Sequence, residues 1–296
     1  VLSQEVAMLL SMLGNEHKAY WDSRYTVELD EVDHAQRDGL ADPLEKLFVW
    51  FGKVAMLMTI QTIQNDLQGV STESSRVLDI GCGNGFFVEV LHALGFADVI
   101  GSDYSPAAIR LSKRVQKHFR EQKPEVETWG TRYILDDLLQ TKLERESFDV
   151  INDSGTLDSI AMTLPPEGQA ALPTDNPFPP PPGHAPAHQE QQEGEQQALN
   201  SATIGEEEDE DLEQGPEPEL HNGQGGSGYF SNVAALLKAG GWLVLRTCNH
   251  TSAEINDLLR TSNAPLALVR EMTVGGAGVR TLVVQKRLPT VTAPTA

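Results

Sequence analysis

The chain has 296 residues, 40% of them hydrophobic, with a formal net charge of -21. That length suits one large domain or two small ones, and the apolar share suggests that part of the chain lies outside any core. The charge is unevenly spread: 14 of the 43 acidic residues and none of the 22 basic ones fall within residues 165–228. The remainder is only mildly acidic. It lacks the basic footprint of a nucleic-acid binder, and no apolar run approaches the ~20 residues that span a bilayer. The N-terminus carries Glu5 and no basic region ahead of its short apolar stretch, so a signal peptide is not expected. Cys82 and Cys248 are too few for a disulfide framework and lack metal-ligand spacing, which points to a reducing compartment and no metal.

In chain order, residues 1–14 read as an N-terminal extension. Residues 15–30, with Tyr20, Trp21, Tyr25, Val27 and Leu29, read as an amphipathic helix leading into a polar loop. A second helix is predicted over 53–68. The pattern then changes: 76–80 (RVLDI) is a short buried strand, followed by a glycine loop and an apolar helix over 86–94. Residues 98–104 form a second strand. Ser105-Pro106 then supplies a helix N-cap and first residue, with the helix reaching about residue 121. Further strands are predicted at 131–135, 148–152, 242–247, 266–272 and 281–285, with a helix at 229–238.

Strands alternating with helices argue for a doubly wound α/β domain around a mostly parallel seven-strand sheet. Only the short VGGAG segment separates the last two strands, leaving no room for a crossover helix, so they pair antiparallel at a C-terminal edge. Residues 165–228 interrupt this order with 11 of the 17 prolines, a PPPP run and the cluster EEEDED. Such a composition cannot bury enough apolar area to offset chain entropy, so a disordered insertion is expected, dividing the domain into 15–164 and 229–287. Residues 288–296 form a flexible tail.

The chemistry concentrates in VLDIGCGNG (77–85), an apolar strand running into Gly81, Gly83 and Gly85 and then a helix. The glycines let the backbone turn sharply and approach a ligand closely. A dinucleotide fold needs a third glycine at position 86, which is Phe86, and has no use for Asp79 beside a pyrophosphate. Asp79 suits a ligand bearing an ammonium group, such as the methionine moiety of S-adenosylmethionine. Asp103, 22 residues after Gly81, ends the second strand where a carboxylate accepts hydrogen bonds from ribose hydroxyls. After strand three, Asp136 or Asp137 is expected to hold the adenine amine, with Leu138 against the ring. Cys82 reads as a small residue tolerated in the loop, counted with Gly81, Gly83 and Gly85 among the cofactor-binding positions and not as a nucleophile. Three acidic strand ends on one rim form a switch-point crevice.

These motifs resemble the class I, seven-strand methyltransferases. Several segments further resemble the group that methylates lysine in translation elongation factor 1-alpha: HKAYWDSRY (17–25), VWFG (49–52), the glycine loop, DYSPAAIRLS (103–112), FDVINDSGTLDSI (148–160) and TCNHT (247–251). The chain departs from that group at Phe48, where an acidic residue is usual, and at Ser154, where the group has Lys. The resemblance implies a cytoplasmic, monomeric protein-lysine methyltransferase using S-adenosylmethionine, with a protein substrate and no nucleic-acid or membrane partner. It places Tyr104, Trp50 and Asp153 among the cofactor-binding residues, with Phe51 beside Trp50. Asp153, Thr156 and Asp158 are the catalytic candidates, and Asn249 and His250 are expected to line the acceptor channel. Trp21 and Tyr25 are expected to pack rather than bind. Two other readings remain open: the same fold acting on another protein, an N-terminal amine or a small molecule, and a catalytically silent interaction protein.

Overall fold

Seven strands form one sheet in the computed structural model, which describes residues 4–38, 47–122, 132–162, 225–273 and 278–289. They are β1 Arg76–Ile80, β2 Asp98–Asp103, β3 Arg132–Leu135, β4 Phe148–Ser154, β5 Leu237–Thr247, β6 Leu266–Thr273 and β7 Arg280–Lys286. The order across the sheet is β3-β2-β1-β4-β5-β7-β6, with β1 to β5 parallel and β7 antiparallel to both its neighbours. The expected antiparallel C-terminal pair is therefore present. The C-terminal strand itself lies one place in from the edge, and β6 is outermost. The order reverses between β1 and β4, which makes their C-terminal ends the switch point where open α/β sheets bind ligands.

Strand alternation sends successive side chains to opposite faces. On one face, Val77, Val99, Val150, Val244 and Val283 pack against Met56, Ile60 and Ile63 of α2 (Gly52–Asn65) and Val88 and Leu91 of α3 (Phe86–Ala93). On the other, Leu78, Ile80, Ile151, Leu243 and Leu245 meet Leu157 of α5 (Thr156–Met162), Tyr229, Phe230 and Val233 of α6 (Gly225–Leu236), and Ile255 and Leu259 of α7 (Ser252–Thr261). The valines lie on one face and the longer Leu and Ile side chains on the other. At ~25 cal/mol per Å² of apolar area removed from water, these two layers are the main source of stability.

Four elements depart from expectation, the first being β5, which begins at Leu237, inside the helix predicted over 229–238 and five residues before the predicted strand. The N-terminal helix, α1, runs Gln4–Asp38, so the predicted polar loop after residue 30 is helical. Val32 of α1 packs on Leu111 and Val115 of α4 (Pro106–Gln122), and this tertiary burial overrides the polar sequence. Helix α6 begins at Gly225, so the last four residues of the expected insertion are helical; 163–224 lie outside the described residues. Helix α7 has no counterpart in the predicted elements. It opens on a capping box, Thr251 accepting from the Glu254 amide while the Glu254 carboxylate accepts from the Thr251 amide.

Candidate active site

The glycine loop closes tightly on itself and on β2. The Cys82 amide donates to the Ser102 carbonyl at 2.9 Å and the Gly85 amide to the Cys82 carbonyl at 3.0 Å. Gly83 has φ +53°, and a Cβ added there would lie 2.8 Å from the Tyr25 hydroxyl; one added at Gly81 would run into Thr156. The loop thus presents backbone alone, and its two approaches are bounded by α1 and α5. The Cys82 side chain is buried, and burial holds its thiol well above the usual range, so it offers no nucleophile.

Asp103 links the loop to α4: one oxygen accepts from the Gly83 amide at 3.0 Å and the other from the Ser105 amide at 2.9 Å. Burial raises its pKa to about 6 against those donors. Asp79 is buried beside Asn152, whose amide donates to it at 2.7 Å, and burial raises its pKa to about 7. Tyr104 follows Asp103, and burial together with the Asp103 and Asp22 charges keeps its hydroxyl protonated. Asp136 donates its amide to the Asp103 carbonyl, so β2 and β3 end together. One oxygen of Asp136 accepts from the Lys142 amide at 2.9 Å, and one of Asp137 accepts from Leu139 at 2.9 Å. Each is partly engaged in its own turn. Leu138 is buried in the core of the α6 face rather than open beside the loop, and its carbonyl accepts from Asn232.

Asp153 is placed differently from the base expected of it. It has no exposed surface, one oxygen accepts from the Thr156 amide at 2.7 Å, and the other accepts from the Leu157 amide at 3.0 Å and the Tyr229 hydroxyl at 2.6 Å. Burial nevertheless raises its pKa to about 7. Thr156 donates its hydroxyl to the Ile80 carbonyl at 2.9 Å, clamping α5 to β1. Asp158 is buried and bound to the segment after β5: it receives the Thr247 hydroxyl, the Cys248 amide at 2.9 Å, and lies 3.1 Å from His250 Nδ1. Asn249 is exposed beside it.

Aromatic side chains cover this rim. Trp21 stacks on Tyr25 at 5.7 Å and meets Trp50 edge-on at 5.5 Å, while Trp50 contacts Phe48 and Phe51. Phe51 adopts φ +64°, an unusual left-handed conformation for a bulky residue. Sequence reasoning missed the clasp beneath them. Buried Glu28 of α1 accepts from the Phe48 amide at 3.0 Å and from Asn84 of the glycine loop at 2.8 Å. Asn84 also donates to the Phe48 carbonyl at 2.8 Å. No local pattern marks such a contact, although the glycine-loop Asn was itself visible.

A sequence profile of the methyltransferase domain matches residues 71–283, from just ahead of β1 to the middle of β7. The chain belongs to the methyltransferase-domain family. The curated relatives include EEF1A lysine methyltransferase 2 of Danio rerio, 34% identical over 154 residues, and that of Homo sapiens, 31% identical over 155. They also include the protein-lysine N-methyltransferase efm4 of Schizosaccharomyces pombe, 30% identical over 164 residues. The matches take in 51%, 51% and 52% of this methyltransferase chain and 57%, 56% and 63% of the respective relatives. The chain thus spans little more than half the length of the curated relatives it matches. No described helix is long and apolar enough to cross a membrane.

Proposed function

We propose that the chain is an S-adenosylmethionine-dependent protein-lysine methyltransferase acting on elongation factor 1-alpha in the cytosol, as a monomer. The relatives' names support the acceptor, and one structural observation supports the donor. Asp79, Asp103 and Asp153 are three buried carboxylates that pair with no Lys or Arg among the described residues. Beside Asp79 the buried Oδ1 of Asn152 has no hydrogen-bond partner. Buried negative charge without a counter-ion is costly, and a glycine cradle with spare acceptors fits a ligand carrying ammonium and sulfonium charge.

Asp79 and Asn152 would hold the ammonium end, the loop amides and glycines would seat the chain of the ligand, and Asp103 would accept from the ribose. Asp136 retains one oxygen outside its turn bond for the adenine amine, with Asp137 next to it in the same turn. When bound, S-adenosylmethionine supplies an electrophilic methyl group. The protein's work is then to fix the acceptor in line and exclude water, since displacement at a methyl carbon depends chiefly on positioning. Trp21, Tyr25 and Trp50 exclude water from the rim and give the acceptor side chain an apolar surround.

Calorimetric titration of S-adenosylmethionine tests the donor, and transfer of radiolabelled methyl to purified elongation factor 1-alpha and to its single Lys→Arg variants tests the acceptor. Saturable binding with label lost in one variant is expected. A folded chain that binds no donor refutes the proposal outright; donor binding with label appearing only on other molecules refutes the acceptor.

A further inference from the structure

The segment after β5 carries a cluster that the donor crevice does not use. Thr247 ends β5, and its hydroxyl oxygen accepts from the Asn249 and His250 amides, each at 3.2 Å, shaping a tight turn that returns His250 toward the sheet. The same hydroxyl donates to Asp158 Oδ1, which also faces His250 Nδ1 at 3.1 Å. Asp158 Oδ2 accepts from the Cys248 amide at 2.9 Å. Asp158 is thus held on both oxygens by one four-residue segment, 247–250. An ionised carboxylate that accepts from Nδ1 fixes the proton there and leaves Nε2 with its lone pair. Among the described residues none bonds Nε2, and the His250 side chain is 15% exposed.

The dyad also stands in the right place. Helix α5 carries Asp158, and the next residue, Ser159, accepts from Trp21 Nε1 at 3.2 Å, which puts the pair next to the aromatic cover. β5 borders β4 in the sheet, so the turn holding His250 follows the strand end adjoining the switch point. Asp153 cannot serve there: it is wholly buried and its oxygens receive three donors. The other charged groups around His250 are Glu254, on the first turn of α7, and Arg280 of β7. Arg280 donates to the His250 carbonyl at 3.4 Å and pairs with Glu271 at 3.4 Å.

We propose that His250 is the general base for the acceptor lysine and that Asp158 is its positioning residue. The inference rests on the lysine-methyltransferase reading above. An ε-ammonium has an ordinary pKa of ~10.4 and must lose a proton before it can attack; the apolar, aromatic rim favours its neutral form by desolvation. The Nζ–H bond breaks, its proton passes to His250 Nε2, and Asp158 balances the imidazolium formed. The nitrogen lone pair then forms the N–C bond as the C–S bond breaks and its electron pair stays on sulfur. The imidazolium returns its proton to water at its exposed edge.

The test compares wild type with H250Q, H250A and D158N, using methyl transfer to elongation factor 1-alpha between about pH 6 and 9 and ¹⁵N NMR of the imidazole in the free protein. H250Q is expected to lower kcat by ~10²–10⁴, the usual worth of general-base catalysis, with donor affinity unchanged. Added imidazole partly restores H250A. In wild type the NMR proton resides on Nδ1, and D158N shifts it toward Nε2. A folded H250Q with wild-type kcat and pH profile overturns the dyad and leaves the function standing. So does a wild-type Nε2–H tautomer, which needs no variant to fold. Wild type that binds donor and methylates no lysine overturns the function and the dyad with it.

Discussion

Tyr229→Phe isolates the role assigned here to Asp153. The hydroxyl donates to the buried carboxylate at 2.6 Å, within the ~2.5–2.7 Å range of O–H bonds to ionised oxygen. Tyr229 is fully buried, and its ring meets Phe230 edge-on at 4.9 Å, so Phe fills the same space and the change removes one donor. A hydrogen bond to a charged group is worth ~1.5–3 kcal/mol. The Thr156 and Leu157 amides remain, so about 2 kcal/mol is expected where Asp153 is ionised. At ~2–4 °C per kcal/mol for a domain of this size, the melting point drops by about 4–8 °C. The pH dependence has a definite sign. Burial raises Asp153 to about 7 in the folded state, so its contribution to stability is full below the unfolded value and declines as pH rises toward 7. Losing the donor raises that pKa further, so the decline continues to higher pH in the variant. Urea unfolding at about pH 5 and 8.5 should show a small deficit at the first and the full one at the second. A deficit below about 0.5 kcal/mol at pH 8.5, or one that does not grow with pH, refutes the anchored-carboxylate account. A change in rate with no change in stability would return Asp153 to the role of a working base.

Four further outcomes follow from the same geometry. Burial raises Asp79 to about 7 and Asp103 to about 6, so stability of the free protein falls between about pH 4 and 7, while S-adenosylmethionine affinity rises about tenfold from pH 5.5 to 7.5; calorimetry showing flat affinity refutes their shared role. Gly83→Ala adds a Cβ against the Tyr25 hydroxyl at φ +53°, costing ~1–2 kcal/mol of backbone strain, and should abolish donor binding in a chain that still folds; retained affinity refutes the cradle. Arg246 is 1% exposed, and its hydrogen bonds go to Ala55, Thr59 and Thr281 with no carboxylate among the described residues; urea unfolding of Arg246→Met should show a neutral or stabilising change, and a loss above about 2 kcal/mol refutes the idea that its charge is unrewarded. Deleting residues 165–224 should leave the melting point unchanged, because α5 and α6 on either side already pack on one face; a fall of more than about 4 °C assigns that segment a part in the core.

The sheet was legible because each strand is a short apolar run bounded by turn signals, and the glycine loop because its spacing admits few backbones. The capping box of α7 was equally legible in Thr251 and Glu254, and went unread because the polar segment between β5 and β6 lacks a long apolar stripe. Other features were not available to sequence reasoning. The extension of α1 to Asp38 depends on burial of Val32 against α4, a contact that no local pattern encodes. Glu28 and Asn84 meet across 56 positions, and Asp153 and Tyr229 across 76, with the segment 165–224 lying between the latter pair. Of the three donors to Asp153, the Thr156 and Leu157 amides are local, and only the Tyr229 hydroxyl, across the interrupting segment, was beyond the reach of sequence reasoning.

The division of labour at the rim follows from strand period. Asn152 and Asp153 are neighbours on β4, so their side chains leave opposite faces of the sheet. Asn152 turns toward Asp79 and the α2–α3 side, whereas Asp153 turns into the α5–α6 layer and is saturated there. The end of β5 repeats the pattern: Arg246 reaches Ala55 and Thr59 of α2, and Thr247 reaches Asp158 of α5. At these two strand ends, Asp153, Arg246 and Thr247 are thus committed to one helical layer or the other. A residue beyond the last paired position of β5, where the backbone has left the sheet, is not bound by that alternation. His250, three residues past Thr247 and held by a carboxylate from the neighbouring layer, is such a residue, and Asp153 is not.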